Sequence, residues 1–449
     1  MRMKNETTAL LSCAVLLLCG ALLTSCSKEY FDDDEYVKAV SNAFPVSDID
    51  EDHEWVTTEV VSASINLEAW DGEYLVYFYD ADPTEGDARL LSTALVEGSD
   101  VSRFTVATSM DDEVYVVATA ADGEGEAYLG CFTIDDGDLS VSASGFGSTP
   151  VSCDVSTSVP KEYTFVFEKD FPVPGDYDFN DVVMSISMEK APAGTAVNST
   201  TKDIIYLTVT LRAVGCTEQV AGCLRFLGTS SSILSSTYTC PTEEFFVNGD
   251  IANEDYVPIN TKSAGRYFSA NGTAERCIVL FNDAHYAISG INADTENYGV
   301  RPSYNTSYDD GSYSTSEKTN IYAITFSSSG GYTFKYFNVT DNLDPFIVTA
   351  YNGAYYETHT YPYKIDEVAH YWRTAVSGDV SNYYTDNYPW ALLCPGEFSY
   401  PLEGQVIGLY TSNILSGAYQ SAGHSFGEWA RDHTAATDWY EYPRASLVY

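Results

Sequence analysis

Tyr163-Thr-Phe-Val-Phe-Glu168-Lys-Asp170-Phe-Pro-Val-Pro174-Gly175-Asp176-Tyr-Asp178-Phe-Asn180-Asp181-Val-Val-Met-Ser-Ile-Ser187 is the stretch that decides the fold. Residues 163–168 alternate with period two, and so do residues 182–188, so each reads as a β-strand. Pro172 and Pro174 cannot donate to a ladder, so the chain between the two strands must leave the sheet. The result is a hairpin with an acidic loop. The same grammar runs outward in both directions. Glu73–Tyr79, Glu113–Thr119 and Ile204–Arg212 are runs of Val, Ile, Thr, Tyr and Phe, parted by Gly, Asp, Asn and Ser. Turn signals recur at intervals of roughly 8–12 residues, as in sandwiches and jelly rolls. Helical spacing is nearly absent and its main candidate is short, Phe426 to Arg431, so helix is expected below about 10%, against the usual 30–35%.

The fold class expected is all-β, with tandem β-sandwiches of immunoglobulin-like or jelly-roll-like type. Residues 55–148 hold enough strands for one immunoglobulin-sized sandwich. Ser142 to Pro160 carries weak signals and reads as a linker. Residues 161–449 form a larger β unit, either one sandwich with large insertions or two packed together. No internal repeat is visible.

The N-terminus sets an expected address. Arg2 and Lys4 precede an apolar run, Ala9 to Leu23, of 15 residues. That is too short to span a bilayer but suits the core of a signal peptide. The run ends Leu23-Thr24-Ser25-Cys26, which resembles a bacterial lipobox with residues 1–25 removed and Cys26 lipidated. Acyl chains contribute about 0.8 kcal/mol per buried CH₂, so such an anchor holds without a spanning helix. Residues 26–54 read as an acidic tether. Its start, Ser27-Lys28-Glu29-Tyr30-Phe31-Asp32-Asp33-Asp34-Glu35, resembles the surface-export signal of Bacteroidota lipoproteins. The expected location is the outer membrane, lipid-anchored and facing the medium.

The whole chain has 449 residues, 65 acids against 22 Lys and Arg, and a net charge of −43. Loss of residues 1–25 would leave 64 acids and 20 bases, or −44. Such a surface repels phosphate backbones, so nucleic acid is excluded as a partner, and it suits divalent cations. Hydrophobic residues make up 45%, with 36 Tyr and 21 Phe, which argues against disorder. Seven cysteines would remain in the mature chain besides Cys26: Cys131, Cys153, Cys216, Cys223, Cys240, Cys277 and Cys394. The number is odd and no CxxC occurs, so a zinc or redox site is not expected. Free thiols and disulfides both fit, with Cys216 and Cys223 the one close pair.

The hairpin loop concentrates oxygen ligands. Asp176, Asp178, Asn180 and Asp181 lie in it, and alternation puts Glu168 and Asp170 on one face at its entrance. Calcium accepts 6–8 oxygens at 2.3–2.6 Å in irregular geometry. The D-x-D-x-N spacing matches the start of an EF-hand loop, but Asp181 stands where Gly is needed and Ser187 where Glu is needed, so an EF-hand is rejected. Two readings follow: a calcium ion held by Asp176, Asp178, Asn180 and Asp181, with Glu168 as the ligand from outside the loop, or an Asx-turn loop satisfied by backbone N–H groups.

Phe167-Glu168 followed by Gly175-Asp-Tyr-Asp-Phe-Asn-Asp-Val-Val183 resembles the signature of the LruC-domain family of bacterial lipoproteins. Asp344-Pro345-Phe346-Ile347, Glu357-Thr-His359, Tyr388-Pro389-Trp390-Ala391-Leu392, Pro395 to Gly404 and Asp438-Trp439-Tyr440 are similar to its later blocks, as are Phe426 and Trp429. Trp55-Val-Thr-Thr58 is similar to a lead-in of Bacteroides members. The chain departs from the pattern at Lys169 and Thr358, neither of which is expected to touch the carboxylate cluster. The resemblance covers roughly 160–449. It implies a surface lipoprotein with a β-sandwich domain, and it does not imply a catalytic activity.

Enzyme signals are weak. Gly423-His424-Ser425-Phe426-Gly427 fits G-x-S-x-G, but the strand, helix and parallel sheet of a nucleophile elbow are missing around it. The six histidines form neither H-x-x-x-H nor HExxH. Glu357 and His359 share a strand face, which suits a paired structural histidine better than an incomplete metal site. Tyr351, Tyr355, Tyr356, Tyr361, Tyr363, Tyr383, Tyr384, Tyr388 and Trp390 could stack on sugars or fill a core. The function expected is a non-catalytic adhesion or ligand-binding module on the cell surface, with a glycan or protein ligand. The alternatives are a glycan-processing enzyme with a carboxylate pair, or a purely structural envelope protein.

Overall fold

The computed structural model describes residues 46, 48–123, 125–170, 175–195, 202–230, 234–239, 266–268, 274–281, 283–289, 317–351, 354–360, 389–411 and 423–449. The signal peptide, Cys26, most of the tether, and Tyr361, Tyr363, Tyr383, Tyr384 and Tyr388 lie outside the described residues.

The N-terminal β region comprises β1 (Thr58–Asn66), β2 (Glu73–Tyr79), β3 (Arg89–Glu97), β4 (Ser99–Ala107), β5 (Glu113–Ala120), β6 (Tyr128–Asp135), β7 (Asp138–Ser142) and β8 (Val159–Pro160). They hydrogen-bond in the order β4-β1-β7-β6-β5-β2-β3-β8. β6 pairs with β5 over most of its length and with β7 at its end, so one strand serves both halves of the sheet. One core gathers the inward residues of both halves, among them Val61, Val76, Phe78, Val96, Phe104, Val116 and Val141.

The second region comprises β9 (Glu162–Phe167), β10 (Val182–Ala191), β11 (Ile204–Ala213), β12 (Ala221–Ser230), β13 (Leu234–Thr239), β14 (Arg266–Phe268), β15 (Ala274–Phe281), β16 (Lys318–Phe326), β17 (Leu343–Tyr351), β18 (Ala354–His359) and β19 (Ala391–Pro395). Six of these form the sheet β13-β16-β11-β10-β9-β19 and five the sheet β14-β15-β12-β17-β18. One core lies between them. Phe165, Phe167, Met184, Ile186, Leu207 and Val209 enter it from the first sheet, and Leu224, Phe226, Leu343 and Ile347 from the second. The described strands of 161–449 thus build one sandwich.

The all-β reading holds. Strand makes up 46% and helix 14%, more helix than the expected tenth. The excess lies in short turns between strands, such as Ala284–Ser289, Gly331–Tyr336 and Val339–Asn342. Such pieces are too short to leave a 3.6-residue period in the sequence.

Residues 43–449 form one compact unit. Tyr163 donates its hydroxyl to the Thr105 carbonyl at 2.6 Å, and Lys190 donates to the Arg103 carbonyl at 2.8 Å. The residues just before β1 also join the edge of the six-stranded sheet, through a parallel bridge from Val56 to Leu393 on β19. The last acids of the predicted tether pack against the body. The Asp50 amide donates to the Ala430 carbonyl, and His53 stacks on Trp55 and meets the edge of Trp429. His53 and Trp55 are both buried.

Candidate functional site

The hairpin places the acidic loop at the end of a central strand pair. β9 and β10 pair with Phe167 opposite Val182 and Phe165 opposite Met184. β19 flanks β9 on its other side, and the Glu168 amide donates to the Trp390 carbonyl at 2.9 Å. Glu168 therefore leaves the ladder inside the protein, where it is fully buried.

The loop turns by an unusual backbone. Tyr177 and Phe179 have φ of 54° and 53°, a left-handed conformation that bulky residues rarely adopt. Each such residue costs on the order of 1–3 kcal/mol. Their rings are fully buried, and Tyr177 packs 5.6 Å from Trp390. Ring burial offsets the strain at about 25 cal/mol per Å² of apolar surface. The segment Pro401–Ile407 clamps the turn from outside. Ile407 N donates to the Tyr177 carbonyl at 2.7 Å, Gly404 N to Asp178 Oδ2 at 2.7 Å, and Asn180 Nδ2 to the Pro401 carbonyl at 3.2 Å.

All six predicted oxygen-bearing side chains come together, and the Asx-turn reading accounts for some of their bonds. Asp178 Oδ1 accepts from Asn180 N at 3.2 Å, Asp181 Oδ2 from Lys169 N at 2.7 Å, and Glu168 Oε1 from Phe179 N at 2.7 Å. Two oxygens are left over. Glu168 Oε2 and Asn180 Oδ1 are buried without a hydrogen-bond partner. One oxygen each from Glu168, Asp170 and Asp181 lies within 4.8 Å of the others, and so does one each from Glu168, Asp176 and Asp178. An open cleft of about 380 Å³ reaches the cluster, lined by Asp170, Asp176, Asp181, Glu218 and Glu403 among others.

The backbone makes way for these oxygens. A methyl group on Gly175 would lie 2.5 Å from Glu168 Oε2 and 3.0 Å from Asp170 Oδ2. One on Gly215 would lie 1.9 Å from Asn180 Oδ1. Side chains at either position would fill the space in front of the unpartnered oxygens.

Burial first, and neighbouring carboxylates second, raise the pKa values of Glu168, Asp176, Asp178, Asp181 and Glu403. Burial, then the charges of Asp181, Asp178 and Asp176, hold Glu168 well above the ordinary range. Burial raises Asp181 strongly, against the pull of the Lys169 ammonium. Burial and Asp176 push Asp178 up to about 8 and Glu403 up to about 7. Asp176, exposed at the rim, is raised by loss of water around its carboxyl and by Asp170. A nearby cation favours the charged form of every one of these groups.

Three features of the site were not legible beforehand. Glu403 joins it from a segment far along the chain. Asp170, foreseen at the entrance but not as a ligand, belongs to one of the oxygen triplets. Lys169 was expected to stand clear of the cluster, and this is corrected. Its amide bonds Asp181, and its ammonium contacts Asp170 and lies 3.4 Å from Glu218. The signal was present in Lys169 itself, a lone cation inside an acidic run.

Ser425, His359 and Trp390 are each engaged in contacts within the protein. Ser425 caps the helix Phe426–Arg431 in a reciprocal box with Glu428, so its hydroxyl is engaged in capping. His359 is buried against Asp344, with Nδ1 3.1 Å from both carboxylate oxygens, and stacks on Phe346. Trp390 is buried. Cys216 and Cys223 are both free thiols, as are Cys131, Cys153 and Cys394.

No curated protein matches the chain. A crystal structure of a candidate lipoprotein from Bacteroides ovatus is similar, with a TM-score of 0.41 and 14% identity, covering 84% of this chain and 98% of that one. Likeness at that level carries no argument about fold or function. The family model described as a domain of unknown function, DUF4842, matches residues 204–440, which take in the strands from β11 onward, Glu403 and the C-terminal helix, and the chain belongs to that family.

Proposed function

We propose that this protein is a lipid-anchored outer-membrane lipoprotein facing the medium, and that its second sandwich is a non-catalytic adhesion or ligand-binding module whose hairpin loop is ordered by calcium. The observation that carries the calcium reading is Glu168 Oε2, a fully buried carboxylate oxygen with no partner, set among other acids. Leaving such a group unserved costs about 1–3 kcal/mol or more. Asp176, Asp178, Asn180 and Asp181 with Glu168 supply the hard oxygens that calcium prefers. The lipobox-like Cys26, the acidic export-like segment and the resemblance to LruC-domain lipoproteins support the location.

The binding part of this reading draws on an exposed aromatic ring. Tyr332 is 71% exposed and stacks at 4.3 Å on Tyr336, which is half-buried. The same short helix contributes Phe334 and Lys335 to a cleft of about 260 Å³ that Asp100 and Asp203 also line. Sugar rings stack on such faces while polar groups fix their hydroxyls. Glycan-array binding without product, lost in Tyr332→Ala, is the expected result. Turnover of a polysaccharide that disappears with one acid would establish the enzyme alternative, and an envelope defect on deletion without any ligand would establish the structural one.

The calcium reading is tested by heating the protein with calcium and with chelator. Chelation is expected to lower the melting temperature of the second sandwich and to open the 169–181 loop to protease, and with a single ion in the site Asp178→Ala is expected to abolish that sensitivity. Identical melts, with no calorimetric calcium signal, would leave only the Asx-turn reading. For the anchor, Cys26→Ala is expected to release the protein from the membrane fraction.

A further inference from the structure

We propose that the cluster holds two divalent cations side by side, bridged by the carboxylate of Glu168. This rests on the calcium reading above and extends it from one ion to a pair.

The first ground is geometric. The oxygens divide into two triplets, Glu168 with Asp170 and Asp181, and Glu168 with Asp176 and Asp178. Calcium holds its ligands at 2.3–2.6 Å, so oxygens of one shell lie within about 5 Å of one another. Among the described residues the two triplets share Glu168 and nothing else. An ion in either triplet therefore leaves two acids of the other unserved.

The second ground is the state of Glu168 itself. A carboxylate offers about four lone-pair positions. Glu168 spends one, on Phe179 N, and its Oε2 is buried and unpartnered. That oxygen and Asp170 Oδ2 lie on the same side of Gly175, 2.5 and 3.0 Å from where a Cβ would stand, so the two are close to each other. Asn180 Oδ1, also buried and unpartnered, is an uncharged ligand beside Asp178.

The third ground is charge. Glu168, Asp170, Asp176, Asp178, Asp181 and Glu403 face one ammonium, Lys169. With every acid ionised, as a bound cation favours, one divalent ion leaves these seven groups at −3, and two bring them to −1. Lys169 does not bar the second ion. It already lies near Glu218, whose side chain is half exposed, and can keep that partner when an ion takes Asp170. Asp170 opens to the cleft, so water can complete the outer ion's shell.

The test counts bound calcium by equilibrium dialysis of the chelator-stripped mature chain in physiological salt with excess magnesium. Wild type is expected to hold two ions per chain above the level of Glu168→Gln. Asp170→Asn and Asp178→Asn are each expected to lose one ion and keep one, because each belongs to a different triplet. If either of these two variants loses none, or wild type holds one, the pair is overturned and the single-ion reading survives. If wild type holds none, both readings fall. The two Asp variants decide the matter against each other even if Glu168→Gln does not fold.

Discussion

Two carboxylates are buried to the same degree in the second sandwich and are served in opposite ways. Asp344 on β17 meets the Arg225 guanidinium through Nε and Nη2 at 2.9 Å each, and His359 Nδ1 at 3.1 Å. Arg225 sits directly across from it on β12, and His359 comes from β18. The neighbouring strands supply the positive charge. Glu168, at the end of β9, meets one backbone N–H and then only other acids on its free side. A charge that the fold intends to keep is paired by side chains during folding. On the calcium reading, a charge that the fold leaves among like charges is served by a cation from solution.

That contrast makes the largest expected effect an internal one. Arg225→Met is expected to destabilise the protein by about 3–5 kcal/mol, because it strands the Asp344 carboxylate in the core. The loss is expected to be the same with calcium and with chelator, as read by urea unfolding. A loss that calcium repairs would mean that Asp344 too is served from solution.

Glu168→Gln is expected to act the other way. It removes the calcium-dependent stabilisation, about 2.7 kcal/mol at a hundredfold excess of calcium over Kd. In chelator the variant is expected to be at least as stable as wild type, since it relieves repulsion from Asp181, Asp178 and Asp176. A variant equally destabilised in both conditions would place Glu168 in the same class as Asp344.

The two sites also differ in how far the sequence revealed them. The acidic hairpin was legible because its information is local: alternation on either side, two prolines that forbid a ladder, and acids at every second position. The Asp344 and His359 blocks were visible as motifs, but Arg225 lies on a strand far earlier in the chain and nothing in period-two alternation names a strand's neighbour. Glu403 was missed for the same reason. It reaches the loop because Gly404 N and the Pro401 carbonyl bind Asp178 and Asn180, contacts between distant segments. The end of the expected tether shows a limit of reading by charge. Its acids mark it as solvated, while His53 within it, and Trp55 just beyond it, pack against Trp429. Charge density describes what a surface repels and says little about which apolar residues inside the run find a core.

The smallest expected effect concerns Ser425, whose polar group the chain serves within one helical turn. Its hydroxyl donates to Glu428 Oε2 at 2.8 Å and accepts from Glu428 N at 3.2 Å. The Glu428 carboxylate in turn accepts from the Ser425 and Gly423 amides. The partners are so close in sequence that S-x-x-E was readable there as a capping box, had the serine not also fitted G-x-S-x-G. The two readings predict different losses. As a cap, Ser425→Ala costs about 1 kcal/mol, loosens the helix that carries Trp429 and leaves calcium binding unchanged. Ser425→Asp restores most of it, because a carboxylate caps as well as a hydroxyl. As a nucleophile, Ser425→Ala would leave the melt untouched and abolish ester hydrolysis, and aspartate would not rescue it. A thermal melt of both variants, beside an ester-hydrolysis assay of wild type, separates the two. A melt unchanged by Ser425→Ala would remove the serine from the class of groups the chain satisfies by itself and return it to chemistry.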